Sequence, residues 1–158
     1  MHITISLSRQ SLTLESPDGA LRVYPVSTAV TGAGQRNGSG ATPLGRHLVR
    51  ARFGAGLPEG AVFAGRRFTG QIYNGTLAAS DPQRDWMLSR ILWLGGAEPG
   101  HNQGGNVDSF RRFIYIHGTP DSEPMGEPAS HGCIRMRNTD VIALFESVPV
   151  GTPVNIVL

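Results

Sequence analysis

The sequence predicts a mainly β fold in a single domain spanning residues 1–158. Three observations predict it. Apolar residues alternate with polar ones in short runs from the N-terminus onward. The 21 glycines and 11 prolines break the chain into segments too short for long helices. Only the stretch after Asn138 carries a helical apolar stripe, so one clear α-helix is expected, late in the chain.

Ile3, Ile5 and Leu7 alternate across His2–Ser8, and Leu12 and Leu14 repeat the pattern across Ser11–Glu15, so a hairpin opens the domain. Pro17-Asp18-Gly19 is a turn, and Leu21–Thr28 is a third strand. Thr31–Gly40 is a glycine-rich loop; its Gly32-Ala33-Gly34 is no dinucleotide fingerprint, because no helix pattern follows. His47–Phe53 is a strand, and Ala61–Phe63 with Phe68 forms a short pair. Ser80-Asp81-Pro82 resembles an N-cap and first turn, which predicts a short helical piece over Gln83–Trp86. Met87–Leu94 is a buried strand, and the irregular 70–110 region around it is a candidate lid or rim. Arg112–His117 is a central strand: Phe113, Tyr115 and His117 share one face, Ile114 and Ile116 the other, and neither face is polar. Asn138 or Thr139 caps the helix of Val141, Ile142, Leu144, Phe145 and Val148, which Pro149 ends. Thr152–Val157 is the last strand.

Charge excludes several function classes. All 14 basic residues are arginine, the net charge is +2, and no basic run exceeds a pair, so no nucleic-acid partner is expected. No apolar run approaches the ~18 residues that span a bilayer, so no membrane partner is expected either. One cysteine forms no intrachain disulfide. The start, Met-His-Ile-Thr-Ile-Ser-Leu, has neither a basic nor a long apolar leader region, which predicts a cytoplasmic chain if Met1 is the true start, and a periplasmic one if it is trimmed.

The candidate chemistry lies between Arg112 and Asn138, which holds Cys133, His117 and His131. Ser130, His131 and Gly132 fill a core poorly, and Gly132 leaves room beside the thiol for a carbonyl to approach. Consecutive N–H groups in such a turn suit an oxyanion, and His117 at a strand end suits a base. A zinc site of His117, His131 and Cys133 plus water is an alternative reading of the same residues. No cofactor is expected. His2, His47 and His101 are surface or packing residues.

Ile116-His117-Gly118-Thr119 followed by Ser130-His131-Gly132-Cys133-Ile134-Arg135-Met136 resembles the signature of the L,D-transpeptidase catalytic domain (YkuD) family. The opening hairpin, Tyr24–Thr28 and Thr42–Gly45 are similar to the family's N-terminal half. The resemblance implies a β-sandwich-like fold and cysteine-dependent cleavage of peptidoglycan stem peptides, at the L,D bond between the third-position diamino acid and D-alanine. It implies Cys133 as nucleophile, with its thiol acidified by the neighbouring imidazolium, and His117 as base with its ring oriented by the Gly118 carbonyl. The N–H groups of His131, Gly132 and Cys133 would face the oxyanion. Arg135 stands where many members have asparagine, and is expected with Ser130 and Tyr115 to bind substrate, Arg135 through a carboxylate.

The expected substrate is a peptidoglycan tetrapeptide or muropeptide. The family's cross-linking members usually carry a leader or anchor, so water is the expected acceptor, giving an L,D-carboxypeptidase of muropeptide recycling. An L,D-transpeptidase that forms 3-3 cross-links or exchanges D-amino acids is the alternative. A non-catalytic wall-binding module is a third reading. Carbapenem β-lactams are expected as covalent inhibitors.

Overall fold

Alternating apolar residues build the first strands because they place one face against a common core. A computed structural model describes residues 1–158. In order, the strands are β1 (His2–Ser6), β2 (Ser11–Glu15), β3 (Leu21–Pro25), β4 (Gly45–Phe53), β5 (Ala61–Ala64) and β6 (Arg67–Ile72). After a short helix α1 (Gly75–Ser80) come β7 (Met87–Gly96), β8 (Tyr115–Gly118) and β9 (Ile134–Met136), then α2 (Asn138–Ser147) and β10 (Pro153–Val157). They form one 10-stranded sheet in the order β3-β2-β1-β10-β4-β7-β5-β6, with β8 pairing β7 and β9 pairing β8. The mainly β class with one main helix after Cys133 is what the structure has, and α1 adds a second, shorter helix.

The ten-residue β7 is the spine. Residues Ile91–Gly96 pair β4 along one edge, Met87 and Leu88 pair β5, and Leu88–Trp93 pair β8. Two faces of this spine have different destinations. Leu92, Leu94, Ile114, Ile116, Ile134 and Met136 join the large apolar cluster with Val141, Leu144, Phe145 and Val148 of α2. Ile91, Trp93, Tyr115 and Cys133 face a smaller cluster beneath the β5–β6 hairpin, with Ala61, Phe63 and Phe68. Strict alternation on adjacent strands therefore sorts helix-side apolar residues from site-side residues.

Four local expectations are corrected. The helix near residue 80 runs over Gly75–Ser80, ends at Asp81 and is capped by the Asn74 side chain, which accepts from the Leu77 N–H; 83–86 is not helical. Pro82 thus ends helical structure here rather than starting it. The third strand stops at Pro25, and Ser27 instead bridges Arg135. The strand before His117 begins only at Tyr115, because Phe113 has φ +57°, a left-handed conformation that breaks extension and leaves its ring 52% exposed. Asn138 caps nothing: α2 starts from Arg137 without a side-chain cap, and the buried Asn138 amide accepts from Ser89 Oγ at 2.6 Å and donates to Thr119 O at 3.0 Å. A tertiary bond outcompeted the local one. No helix is long and apolar enough to cross a membrane.

His47 on β4 is a packing residue, as its neighbours predict. It is 1% exposed, with Nδ1 2.9 Å from Gly45 O and Nε2 2.8 Å from Ser109 Oγ. Burial pushes its pKa from 6.5 down to about 4. Between those values the unfolded chain binds a proton that the native chain refuses, so stability falls as pH drops. Urea unfolding should lose roughly 3 kcal/mol between pH 7 and 4 through this group, and His47→Gln should remove that share of the slope.

Candidate active site

Strands β8 and β9 run parallel, with His117 opposite Arg135 and Ile116 opposite Ile134. Cys133, one residue ahead of β9, therefore lies beside Tyr115, and the Tyr115 N–H donates to its sulfur at 3.4 Å. Alternation puts Tyr115 and His117 on the same face as Cys133 and Arg135, making Cys133 and His117 diagonal neighbours across the strand pair. The sequence reading proposed this pair; the register brings the two residues onto one face.

His117 is fully buried, and its Nδ1 lies 2.7 Å from Gly118 O. A carbonyl only accepts, so Nδ1 carries the proton and Nε2 presents a lone pair. That Nε2 is buried and has no partner. Only glycine fits at 118: a Cβ there would stand 2.5 Å from both Leu88 O and Asn138 Oδ1.

The resting charge state differs from the ion pair expected. Desolvation by burial pushes the Cys133 thiol up to about 11, with the Tyr115 N–H, Arg135 and Arg112 opposing the rise and Asp85 adding to it. Burial likewise lowers His117 below its ordinary value, against the raising influence of Asp85 and the Gly118 carbonyl. Both directions favour neutral thiol and neutral imidazole. The thiol donates to Phe113 O at 3.3 Å rather than to the ring. Cys133 is half-buried, open enough to be reached yet enclosed enough for desolvation to dominate.

The turn before the thiol is shaped by Ser130. Its hydroxyl donates to Cys133 O at 2.6 Å and accepts from the Gly132 N–H at 3.3 Å, and the residue is 0% exposed. Ser130, expected to bind substrate, holds the turn from a buried position. It also engages the Gly132 amide, while the N–H groups of His131 and Cys133 donate to no protein acceptor. Gly132 has φ +131°, where a side chain would be strained. Its carbonyl accepts from Thr42 Oγ1 at 3.0 Å, and Thr42 in turn accepts from the Ala29 N–H.

Arg135 and Tyr115, also expected to bind substrate, are likewise buried and bonded within the protein. Arg135, 4% exposed, donates through Nη2 to Asp85 Oδ1 at 2.8 Å, and through Nη1 to Ala129 O at 3.1 Å and Glu123 Oε2 at 3.4 Å. Two carboxylates already occupy the fork meant for a substrate's. Tyr115 is 3% exposed, its hydroxyl accepts from Arg66 at 3.0 Å, and its ring meets Trp93 edge-on at 5.7 Å. Both support the floor of the site rather than its surface. His131 is exposed, with Nδ1 3.9 Å from Asp85 Oδ2. No three or more His, Cys, Asp or Glu side chains converge as a metal would require, so the zinc reading lacks its ligand set.

Sequence reasoning missed Asp85, Arg112, Phe113 and Thr42. Arg112 donates to Gly34 O, Gln35 O, Ser39 Oγ and Ala41 O, clamping the glycine-rich loop beside the thiol. Thr42 lies in the family-like Thr42–Gly45 segment and Phe113 on the expected strand face, but the roles of all four depend on partners far along the chain.

The family model for the L,D-transpeptidase catalytic domain, YkuD, matches residues 1–156. The chain belongs to the L,D-transpeptidase catalytic domain family. It is 54% identical over 60 residues to the putative L,D-transpeptidase YkuD of Bacillus subtilis, covering 35% of this chain and 37% of that protein. It is 50% identical over 46 residues to the probable L,D-transpeptidase YbiS of Escherichia coli, covering 29% and 15%. The matched stretches therefore span well under half of these curated relatives. Among solved structures, L,D-transpeptidase 3 from Mycobacterium tuberculosis, in complex with a faropenem-derived adduct, superposes with TM-score 0.59 at 18% identity, over 99% of this chain and 59% of that one. LdtMt1 in complex with imipenem gives TM-score 0.55 at 20% identity, over 98% and 57%. These two likenesses show the L,D-transpeptidase catalytic fold.

Proposed function

We propose that this chain is a cysteine acyl-transfer enzyme acting on peptidoglycan stem peptides at the L,D bond before D-alanine, with water as the preferred acceptor. One observation carries the reading: the unpartnered lone pair of His117 Nε2 shares a face with Cys133, one diagonal step away. Family membership supplies the substrate class.

The Cys133 thiol swings from Phe113 O, passes its proton to His117 Nε2, and its sulfur bonds to the scissile carbonyl carbon. The N–H groups of His131 and Cys133 take the oxyanion. As the tetrahedral centre collapses the C–N bond breaks, and His117 returns the proton to the departing amine, leaving a thioester. Water then attacks the thioester, His117 takes a water proton, and the C–S bond breaks to restore the thiol. Water gives its proton to His117 as it attacks, whereas a side-chain ammonium with pKa near 10 has no lone pair to attack with until it has already lost a proton.

A soluble disaccharide-tetrapeptide should lose D-alanine to give the tripeptide, followed by mass spectrometry, and a carbapenem should add to Cys133 in the intact mass. Dimers or D-amino-acid exchange without net loss of D-alanine would transfer the assignment to the transpeptidase alternative. Muropeptide binding without turnover or adduct would leave only the binding-module reading.

A further inference from the structure

Asp85 lies in the irregular segment between α1 and β7, yet its carboxylate reaches both residues that flank Cys133 at two positions' remove. Oδ1 accepts from Arg135 Nη2 at 2.8 Å, and Oδ2 stands 3.9 Å from His131 Nδ1. The β8–β9 register sets Arg135 directly opposite His117 on the same face. A base that must become an imidazolium therefore faces a buried guanidinium cation. Unbalanced, that cation would oppose the proton transfer on which attack depends, and little water is present to screen it. Asp85 supplies the balance at bonding distance, and Glu123 adds a second carboxylate at 3.4 Å.

We propose that Asp85 is a positioning residue of this site: it cancels the charge of Arg135 opposite His117, and so lets the ring accept the proton of Cys133. The inference rests on the acyl-transfer reading above. The titratable and charged groups around the dyad are Asp85, Glu123, Arg135, His131 and Arg112, whose charge also acts on Cys133. Asp85 has opposite consequences for the two partners. Its negative charge favours imidazolium at His117 and disfavours thiolate at Cys133. Alkylation needs only the thiolate and is slowed by Asp85; in acyl transfer the sulfur's charge passes to the oxyanion at the turn amides while the imidazolium persists, so its stabilisation by Asp85 speeds that reaction. A residue that only held the fold would move both rates together.

Asp85→Asn keeps the shape and a hydrogen-bond acceptor for Arg135 but removes the charge. Muropeptide kcat is expected to fall about tenfold with KM within twofold, and carbapenem acylation to slow by a similar factor. Iodoacetamide alkylation of Cys133 at pH 8 should instead rise about three- to tenfold, as its pH profile moves to lower pH. Asp85→Glu should restore both rates. Glu123→Gln, which leaves segment 81–86 untouched, should shift them in the same opposed directions by less. Both rates falling together, neither moving, or KM alone changing would overturn the proposal. Should the wild-type protein turn over no muropeptide, the functional reading fails, while the alkylation profiles of wild type, D85N and E123Q still decide the role of Asp85: superimposable profiles would end it.

Discussion

Cys133→Ala should leave a folded protein with no measurable turnover, a loss on the order of 10⁵- to 10⁶-fold, the scale expected when a covalent nucleophile is removed. The fold should survive because Cys133 is half-buried at the edge of the small cluster under the β5–β6 hairpin, where a lost sulfur costs about 1 kcal/mol. What remains after the substitution, two free amides in the turn and a buried imidazole, can bind and polarise a carbonyl but has no atom with which to form the thioester. The checks are tripeptide production by mass spectrometry, the carbapenem adduct by intact mass, and a thermal melt. Turnover persisting within tenfold of wild type would exclude the covalent mechanism outright.

His117→Gln should lower acyl transfer by about 10³- to 10⁴-fold while leaving iodoacetamide alkylation of Cys133 measurable. Glutamine retains polarity but offers no basic nitrogen, so the thiol, held protonated by desolvation, would have nowhere to send its proton. The wild-type pH profile follows from the same pair. Catalysis needs neutral His117, and burial lowers its pKa, so the acid limb of kcat/KM should fall below the ordinary histidine value near 6.5 rather than at it. The H117Q profile should lose that limb. An acid limb unchanged in H117Q would assign it to another group and remove His117 from the role of base.

Much of this was legible in one dimension because its physical cause is local. Ile3 and Ile5 against Leu12 and Leu14 alternate with the period of a strand, and they pair as neighbours in the antiparallel hairpin. The helical stripe of Val141, Leu144 and Phe145 is a period of one element and needs no partner to be recognised. His117 of the His-Gly piece and Cys133 of the Ser-His-Gly-Cys piece stand 16 positions apart, and the residue types alone suggest base, turn and nucleophile. At Asn138 a distant partner prevailed over the local rule: it has the chemistry of a helix cap but bonds Ser89, 49 residues away. Near residue 80 a different local cap prevailed: Asn74 starts the helix at Gly75, and Ser80-Asp81-Pro82 ends it.

Residue types, apolar periods and the spacing of one thiol and one imidazole were set by the amino-acid order itself, since each depends only on near neighbours. Charge state and the division of labour around the thiol were decided by folding. Desolvation depends on everything packed around a group, which is why a thiol expected to be acidic is instead held near 11. Arg135 was offered as a substrate's partner until the fold brought Asp85, 50 residues away, to its guanidinium. A guanidinium in low dielectric takes whatever carboxylate the chain delivers, and only the three-dimensional path of the backbone says which one arrives.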